Sequence, residues 1–170
     1  MYYLSQMIPT TTNCTINEPV IFNSEDEIIQ VALAILANRC KKGAYAVNDP
    51  EALGKYLALS LGEETREVFG VVLLDNQYNV IDMVPLFFGT ISSASVYPRE
   101  IIKLVVERNA ANAVLYHNHP SGLLEPSRAD IDITKKIKNA CEIIDVNVVD
   151  HIIVSSKGFL SFAEKGIGPF

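Results

Sequence analysis

Apolar residues follow two different periods along this chain, and together they predict an α/β fold. Spacings of three and four, which are typical of helices, occur in segments that open with turn or capping residues. We predict helices at 24–39, 49–61, 97–108 and 127–144. Runs rich in β-branched and aromatic residues predict strands. These runs lie at 66–74, 80–88, 114–117, 146–155 and 158–162.

The first predicted strand, 66–74, is apolar on both faces after Glu67. This pattern is typical of a strand inside a sheet. Gly70 within it predicts a bulge or a close backbone approach. Ahead of the first helix, residues 1–23 form an arm rich in threonine and asparagine. Its apolar pieces could add a short strand or pack on a neighbour, so a homo-oligomer is among the expected partners.

Composition narrows the class of protein. The chain has 170 residues, of which 49% are hydrophobic, and a chain of this size buries about two thirds of its unfolded surface as one domain. The formal net charge of −6 argues against a general phosphate-binding surface. There is no basic leader and no apolar run long enough to cross a membrane, so we expect a soluble cytoplasmic protein.

The cysteines point to the same compartment. Cys14, Cys40 and Cys141 are odd in number, far apart, and include no Cys-x-x-Cys pair. We therefore expect reduced thiols. We also expect no zinc site of the kind found in deaminases, which is built on paired cysteines. Cys40 and Cys141 fall in apolar helical patterns and are predicted to be core residues.

Two of the three histidines, His117 and His119, are separated by one residue at the end of a predicted strand. Side chains at i and i+2 of a strand share a face, so both imidazoles could bind one metal ion. Asp130 follows after a turn, in the first turn of the next helix. Two nitrogens and one carboxylate oxygen suit zinc, with a fourth position left for water.

Asp130 also has a purely structural interpretation. Ser127 and Asp130 form an S-x-x-D sequence, a variant of the capping box, and an acidic residue in the first turn suits the helix dipole. Taken alone, Asp130 reads as a helix-start residue, and a lone His-x-His as incidental. The three residues together favour a metal site.

Glu67 is the candidate base for a water molecule bound at such a site. It stands at the edge of the first predicted strand, where it could face the metal. The alternative, without a catalytic role, is a solvated glutamate at the start of the strand beside Glu63, Glu64 and Arg66. Spacing alone favours this alternative.

These residues resemble a known motif. Glu67, then His117-x-His119-x7-Ser127-x2-Asp130, is similar to the JAMM (MPN+) motif of zinc metallopeptidases. The flanking segments at 88–100, 117–130, 150–154 and 161–164 resemble the RadC family. The resemblance runs from about Asp49 to Glu164. We therefore divide the chain into an arm and helix at 1–48, packed on the core, and a RadC-like JAB domain at 49–170.

The resemblance implies a JAB/MPN fold, a mixed β-sheet flanked by helices in three layers and similar to cytidine deaminases. It implies Zn²⁺ bound by His117, His119 and Asp130. Glu67 would be the general base and then the general acid. Ser127 would help bind the oxyanion of a tetrahedral intermediate, a role that competes with N-capping. The implied activity is hydrolysis of peptide or amide bonds.

Three functions stay open at this point. The first is a JAMM-type zinc peptidase or amidase acting on a peptide or protein. The second is a non-catalytic, metal-binding interaction domain. The third, suggested only by the RadC resemblance, is a protein associated with nucleic acid or DNA repair. Full-length RadC-type proteins resemble a fusion of this domain to a DNA-binding helix-hairpin-helix segment. The acidic net charge and the lack of such a segment ahead of the matching region disfavour the third function. The resemblance also implies that deubiquitinating members carry long insertions that grip ubiquitin, and the short span between Leu74 and Leu115 leaves no room for them, which disfavours ubiquitin as a substrate.

Two further features bear on the site. His151 lies in an apolar predicted strand, where a core histidine hydrogen-bonded to a neighbour is the first interpretation and a role in positioning the metal site the second. Substrate specificity is expected in loops around the cleft, such as 87–97. Lys135, Lys136 and Lys138 are interpreted as a solvated helix face.

Overall fold

The computed structural model describes residues 24–41, 50–89 and 96–170, without the side chains of 37–41 and 50. The predicted N-terminal arm, Cys14, the thiol of Cys40 and residues 90–95 of the expected specificity loop lie outside the described residues. The division of the chain at residue 48 therefore stays a prediction. Among the described helices, none is both long and apolar enough to cross a membrane.

Helices and strands follow the predicted order. The helices are α1 (Glu25–Lys41), α2 (Pro50–Leu61), α3 (Pro98–Glu107), α4 (Arg128–Glu142) and α5 (Phe162–Lys165). The strands are β1 (Val68–Leu74), β2 (Val80–Phe88), β3 (Asn112–Asn118), β4 (Asn147–Ser155) and β5 (Gly158–Ser161). The short α5 was not predicted, and Ser161 caps it by accepting a hydrogen bond from the backbone N–H of Glu164.

The strands form one mixed sheet in the order β2-β1-β3-β4-β5. Among the strands that the structure describes, only β3 and β4 run parallel, and α4 connects them. The other neighbouring pairs are antiparallel. The predicted mixed sheet flanked by helices is confirmed, and the fold is consistent with a JAB/MPN domain.

Helices cover both faces of the sheet because side chains of the central strands alternate between two apolar clusters. On one face, β1 and β3 pack against α2, with Leu53, Val72 and Val114 fully buried. On the other face they pack against α3 and α4, with Leu115 and Ile137 fully buried. The result is a three-layer arrangement whose central strands, β1 and β3, are buried along their whole length.

Gly70 marks both features that its position in β1 predicts. The β1–β2 pairing shifts register between Phe69 and Gly70. A Cβ at Gly70 would overlap the hydroxyl oxygen of Tyr116 and lie 2.6 Å from the carbonyl oxygen of Val84. The absence of a side chain therefore lets Tyr116 of β3 lie across β1.

The predicted start of the first strand was wrong by two residues. β1 begins at Val68 rather than at Arg66, because the N–H of Val68 donates to the side-chain oxygen of Asn118, 2.6 Å away. Glu67 therefore precedes the strand. The antiparallel pairing of Phe69 with His117 sets this end of β1 beside the end of β3.

Candidate metal centre

His117 and His119 project from the end of β3 toward the same side, as their spacing predicts. His117 is fully buried and His119 partly buried. The Nε2 atoms of the two rings are 2.9 Å apart. The ring of Phe69 on β1 stacks on that of His117 with centroids 5.9 Å apart. The backbone N–H of His119 donates to the carbonyl of Val154 on β4, which holds the end of β3 in place.

The turn after β3 brings Asp130 to the same point. Gly122 has a φ of 77°, a left-handed conformation that glycine adopts without strain. Its N–H donates to the carbonyl of His119. The chain then enters α4, whose first turn places Asp130 Oδ1 3.4 Å from Nε2 of His117 and Oδ2 3.6 Å from Nε2 of His119. The three residues could together hold a metal ion.

The capping box and the ligand cluster share one carboxylate. Ser127 Oγ accepts a hydrogen bond from the N–H of Asp130, and Asp130 Oδ2 accepts one from the N–H of Ser127. Each carboxylate oxygen has two lone pairs, so Asp130 can cap α4 and still face both histidines. The two interpretations of Asp130 are therefore compatible. The cap also orients the carboxylate toward the histidines.

Hydrogen bonds determine which nitrogen of His119 carries the proton. Its Nδ1 lies 2.8 Å from the carbonyl oxygen of Leu123. A carbonyl can only accept, so Nδ1–H donates and the neutral ring has a lone pair on Nε2.

His117 has the same arrangement. Its Nδ1 contacts Nε2 of His151 at 2.8 Å. Nδ1 of His117 is the donor, because His151 uses its own proton on Nδ1 to bind Thr134. Two lone pairs then face each other across 2.9 Å, beside a carboxylate. Such a contact is stable only when a cation, either a proton or a metal ion, lies between the two Nε2 atoms.

The spacing of the donor atoms fits one metal ion. Zinc binds histidine nitrogen and carboxylate oxygen at about 2.0–2.2 Å, which places the ligand atoms of a tetrahedral site roughly 3.3–3.6 Å apart. Two of the separations, 3.4 and 3.6 Å, match this spacing. The 2.9 Å between the histidine nitrogens requires an opening of only a few tenths of an ångström. The donor set is typical of a divalent transition metal.

Burial and neighbouring charges shift the pKa values of these groups in different directions. Burial lowers the pKa of His117 to about 4. Pairing with Asp130 raises the pKa of His119 despite its partial burial. Burial would raise the pKa of Asp130, but the interactions with His119, His117 and Ser127 together hold it well below its usual range. At neutral pH the site therefore presents a carboxylate and a neutral buried imidazole, as metal binding requires.

Glu67 lies within electrostatic reach of this cluster. Its carboxyl group is partly buried, and burial, followed by the negative charge of Asp130, raises its pKa, while His119 acts in the opposite direction. The carbonyl of Glu67 accepts a hydrogen bond from the N–H of Gly89 at the end of β2. Glu67 is therefore partly buried rather than freely solvated, in contrast to the alternative interpretation of a solvated glutamate at the start of the strand.

Asn118 was not singled out from the sequence, yet its buried side chain holds the segment that carries Glu67. Its Oδ1 accepts the N–H of Val68, and its Nδ2 donates to the carbonyl oxygens of Glu64 and Arg66 at 3.3 and 3.1 Å. One amide thus binds the backbone on both sides of Glu67. The only hint in the sequence was an amide between two candidate ligands.

His151 and Thr134 complete the surroundings of the site. His151, on β4, contacts His117 and packs on the ring of Phe162 with centroids 4.7 Å apart. Thr134, on α4, contacts His151. The prediction that His151 is a core histidine hydrogen-bonded to a neighbour is confirmed, and the neighbour is a candidate ligand. Thr134 gave no signal in the sequence beyond its helical position.

Comparison with known proteins agrees with the resemblance. The family model for the RadC-like JAB domain matches residues 47–167. Relatives named UPF0758 protein from Shewanella piezotolerans and Shewanella pealeana are each 44% identical to this chain over 148 residues. The UPF0758 protein of Shewanella halifaxensis is 43% identical over the same length. Each match covers 87% of this chain and 65% of the relative, so the chain spans 65% of the length of these relatives.

Proposed function

Because this chain belongs to the RadC-like JAB domain family, we propose that it is a metal-dependent hydrolase of the JAMM type that cleaves amide bonds in a peptide or protein. The supporting observation is that His117, His119 and Asp130 converge within electrostatic reach of Glu67. We propose zinc as the ion, since two imidazoles and one carboxylate are a donor set of catalytic zinc sites. When bound, zinc supplies Lewis acidity and lowers the pKa of a water molecule to about 7.

Glu67 has the properties of a proton shuttle. Burial and the neighbouring charge of Asp130 disfavour its ionised form, so it holds a proton more readily than a solvated glutamate. A group of this kind can take a proton from the attacking water and return it to the leaving amine. Asn118 keeps the backbone on both sides of Glu67 in place while this happens.

Ser127 can stabilise the developing negative charge without giving up its cap. As the cap of α4, its Oγ accepts a hydrogen bond from the N–H of Asp130, which uses a lone pair and leaves the hydroxyl proton available. That proton can be donated to an oxyanion. Loss of one such donor typically reduces turnover about 100- to 1,000-fold. The competition expected between the two roles of Ser127 is therefore avoided.

The test is cleavage of a diverse peptide library by zinc-loaded protein, analysed by mass spectrometry. We expect wild-type protein to release defined products. Glu67→Gln should retain zinc, measured by elemental analysis, but lose turnover by at least about 100-fold. The matched control is Glu63→Gln, which neutralises an exposed carboxylate a few residues away and should cleave like wild type.

Two results would overturn the proposal. If Glu67→Gln cleaved as fast as wild type, the observed activity would not arise at this site. If wild-type protein bound zinc but cleaved no peptide, the domain would be a metal-binding interaction module rather than a hydrolase. His119→Ala, which removes a ligand, provides the zinc-free reference for both measurements.

A further inference from the structure

A continuous chain of hydrogen bonds through three buried side chains joins two of the candidate ligands behind the site. Nδ1 of His117 lies 2.8 Å from Nε2 of His151. Nδ1 of His151 lies 2.6 Å from Oγ1 of Thr134. Oγ1 of Thr134 lies 2.5 Å from the backbone carbonyl oxygen of Asp130. His117, His151 and Thr134 are all fully buried, so water cannot replace the contacts between these three side chains.

The direction of each hydrogen bond follows from its last acceptor. The carbonyl of Asp130 has no proton, so Thr134 must donate its single hydroxyl proton to it. Thr134 Oγ1 then accepts from Nδ1–H of His151, which leaves a lone pair on Nε2 of that neutral ring. This lone pair accepts from Nδ1–H of His117, and the lone pair of His117 is consequently on Nε2, the atom that faces Asp130 and His119.

We propose that His151 and Thr134 are positioning residues that lock His117 in its Nδ1–H tautomer and thereby keep Nε2 ready to bind a metal. This inference rests on the proposed function, because it assigns the lock to the same site. The lock also connects the two parts of the chain that supply ligands. It runs from β3 through β4 to the backbone carbonyl of Asp130 in α4, so the ring of His117 is tied to the backbone that carries the Asp130 carboxylate.

Packing alone does not explain a histidine at position 151. Its ring contacts the rings of Phe69 and Phe162, with centroids 5.5 and 4.7 Å away. A phenylalanine side chain would fill this space without the cost of burying two polar nitrogens. Each of its ring nitrogens has one buried partner, Nδ1 of His117 for Nε2 and Oγ1 of Thr134 for Nδ1. A neutral imidazole can accept at one nitrogen and donate at the other, as this chain requires.

Thr134 allows a test that leaves every ligand in place. Thr134→Val keeps the shape of the side chain but removes the hydroxyl, so Nδ1–H of His151 loses its acceptor. His151 can then place its proton on Nε2, which reverses its bond with His117 and moves the proton of His117 to the ligand atom. Removing such a supporting partner typically weakens metal binding about 10- to 100-fold. Thr134→Ser retains the hydroxyl and should restore binding.

The readouts are the ¹⁵N NMR shifts of the histidine rings in metal-free protein and zinc affinity measured by competition with a chromophoric chelator. We expect wild type and Thr134→Ser to carry the His117 proton on Nδ1 and to bind zinc alike. Thr134→Val should show the other tautomer and the loss of affinity. The control is Ile137→Val, on the same helix and fully buried, which should cost about 0.5–1.5 kcal/mol of stability and leave affinity unchanged.

The outcomes separate this inference from the proposed function. The inference about His151 and Thr134 would be overturned if wild-type His117 carried its proton on Nε2. It would also be overturned if Thr134→Val bound zinc as tightly as wild type. Failure of wild-type protein to bind zinc would overturn the proposed function, while the NMR spectrum would still show whether the lock exists. His151→Gln, whose amide can accept and donate like the ring, should bind zinc more tightly than His151→Phe.

Discussion

Ser127 and Asp130 hold each other through two reciprocal hydrogen bonds, of 2.7 and 3.1 Å, at the start of α4. The same Asp130 carboxylate lies 3.4 and 3.6 Å from the ligand nitrogens of His117 and His119. A local element that begins a helix therefore also orients a candidate ligand. The stability of α4 and the geometry of the site are coupled through these two residues.

Ser127→Ala should lower both stability and metal affinity, because it removes the acceptor that holds the N–H of Asp130. Loss of an N-cap costs about 0.5–2 kcal/mol, and the carboxylate loses part of its fixed orientation. Thermal unfolding and zinc competition measure the two effects. Ser24→Ala is the matched control, since Ser24 accepts the N–H of Glu27 at the start of α1. It should lower stability alone. Equal zinc affinity in both variants would contradict the coupling.

Asn118→Ala should impair turnover more than metal binding. It leaves the buried N–H of Val68 without its acceptor, and an unsatisfied buried group costs about 1–3 kcal/mol. A displacement of Glu67 by about 1 Å can reduce turnover about 100-fold. Chemical denaturation, elemental analysis and the peptide-cleavage assay measure the three quantities.

The control for Asn118→Ala is Asn112→Ala at the other end of β3. Asn112 is also buried, and its Nδ2 donates to the carbonyl of Asp75 at 2.9 Å. We expect a comparable loss of stability without a specific loss of turnover. Equal turnover in the two variants would show that Asn118 does not position Glu67.

Gly70→Ala should destabilise the fold because the new Cβ would overlap Tyr116 and the carbonyl of Val84. Overpacking in a core typically costs about 1–3 kcal/mol. Urea unfolding of Gly70→Ala, alone and combined with Tyr116→Leu, measures the coupling between these side chains. We expect the alanine to cost less when Tyr116 is replaced. The same cost in both backgrounds would assign the clash to the backbone of Val84.

Cys141 should be inert in the folded protein. The residue is fully buried in α4, and burial raises the pKa of its thiol to about 11 from an ordinary value of 9.0. Almost no thiolate is therefore present at pH 8 in the native state. Alkylation with iodoacetamide at pH 8, followed by peptide mass spectrometry, should label Cys141 only after addition of denaturant. Rapid labelling of Cys141 in native protein would contradict this assignment.

The raised pKa of Cys141 also predicts how stability depends on pH. Between about pH 9 and 11 the unfolded chain loses the thiol proton while the folded protein retains it. The folded state then binds more protons than the unfolded state, so the free energy of unfolding falls as pH rises through this window. Cys141→Ala should reduce that decline. Urea denaturation of the variant and wild type at pH 8 and pH 10.5 measures the difference.

Local patterns in the sequence determined much of this protein. The order of helices and strands follows from apolar periods, and the shared face of His117 and His119 follows from the alternation of a strand. The S-x-x-D spacing of Ser127 and Asp130 predicted the cap that the structure contains. These features depend on residues close together in the chain, so sequence alone can specify them.

Tertiary structure alone decided what surrounds the two histidines. The antiparallel register that pairs Phe69 with His117 brings Glu67 toward the cluster, and the parallel pairing of β3 with β4 sets His151 behind His117. Thr134 lies close to His151 only because α4 packs on β4. Register and strand order depend on contacts between distant segments, whose free energy arises only when the whole core assembles. Sequence therefore supplied the candidate ligands, and the folded sheet supplied their neighbours.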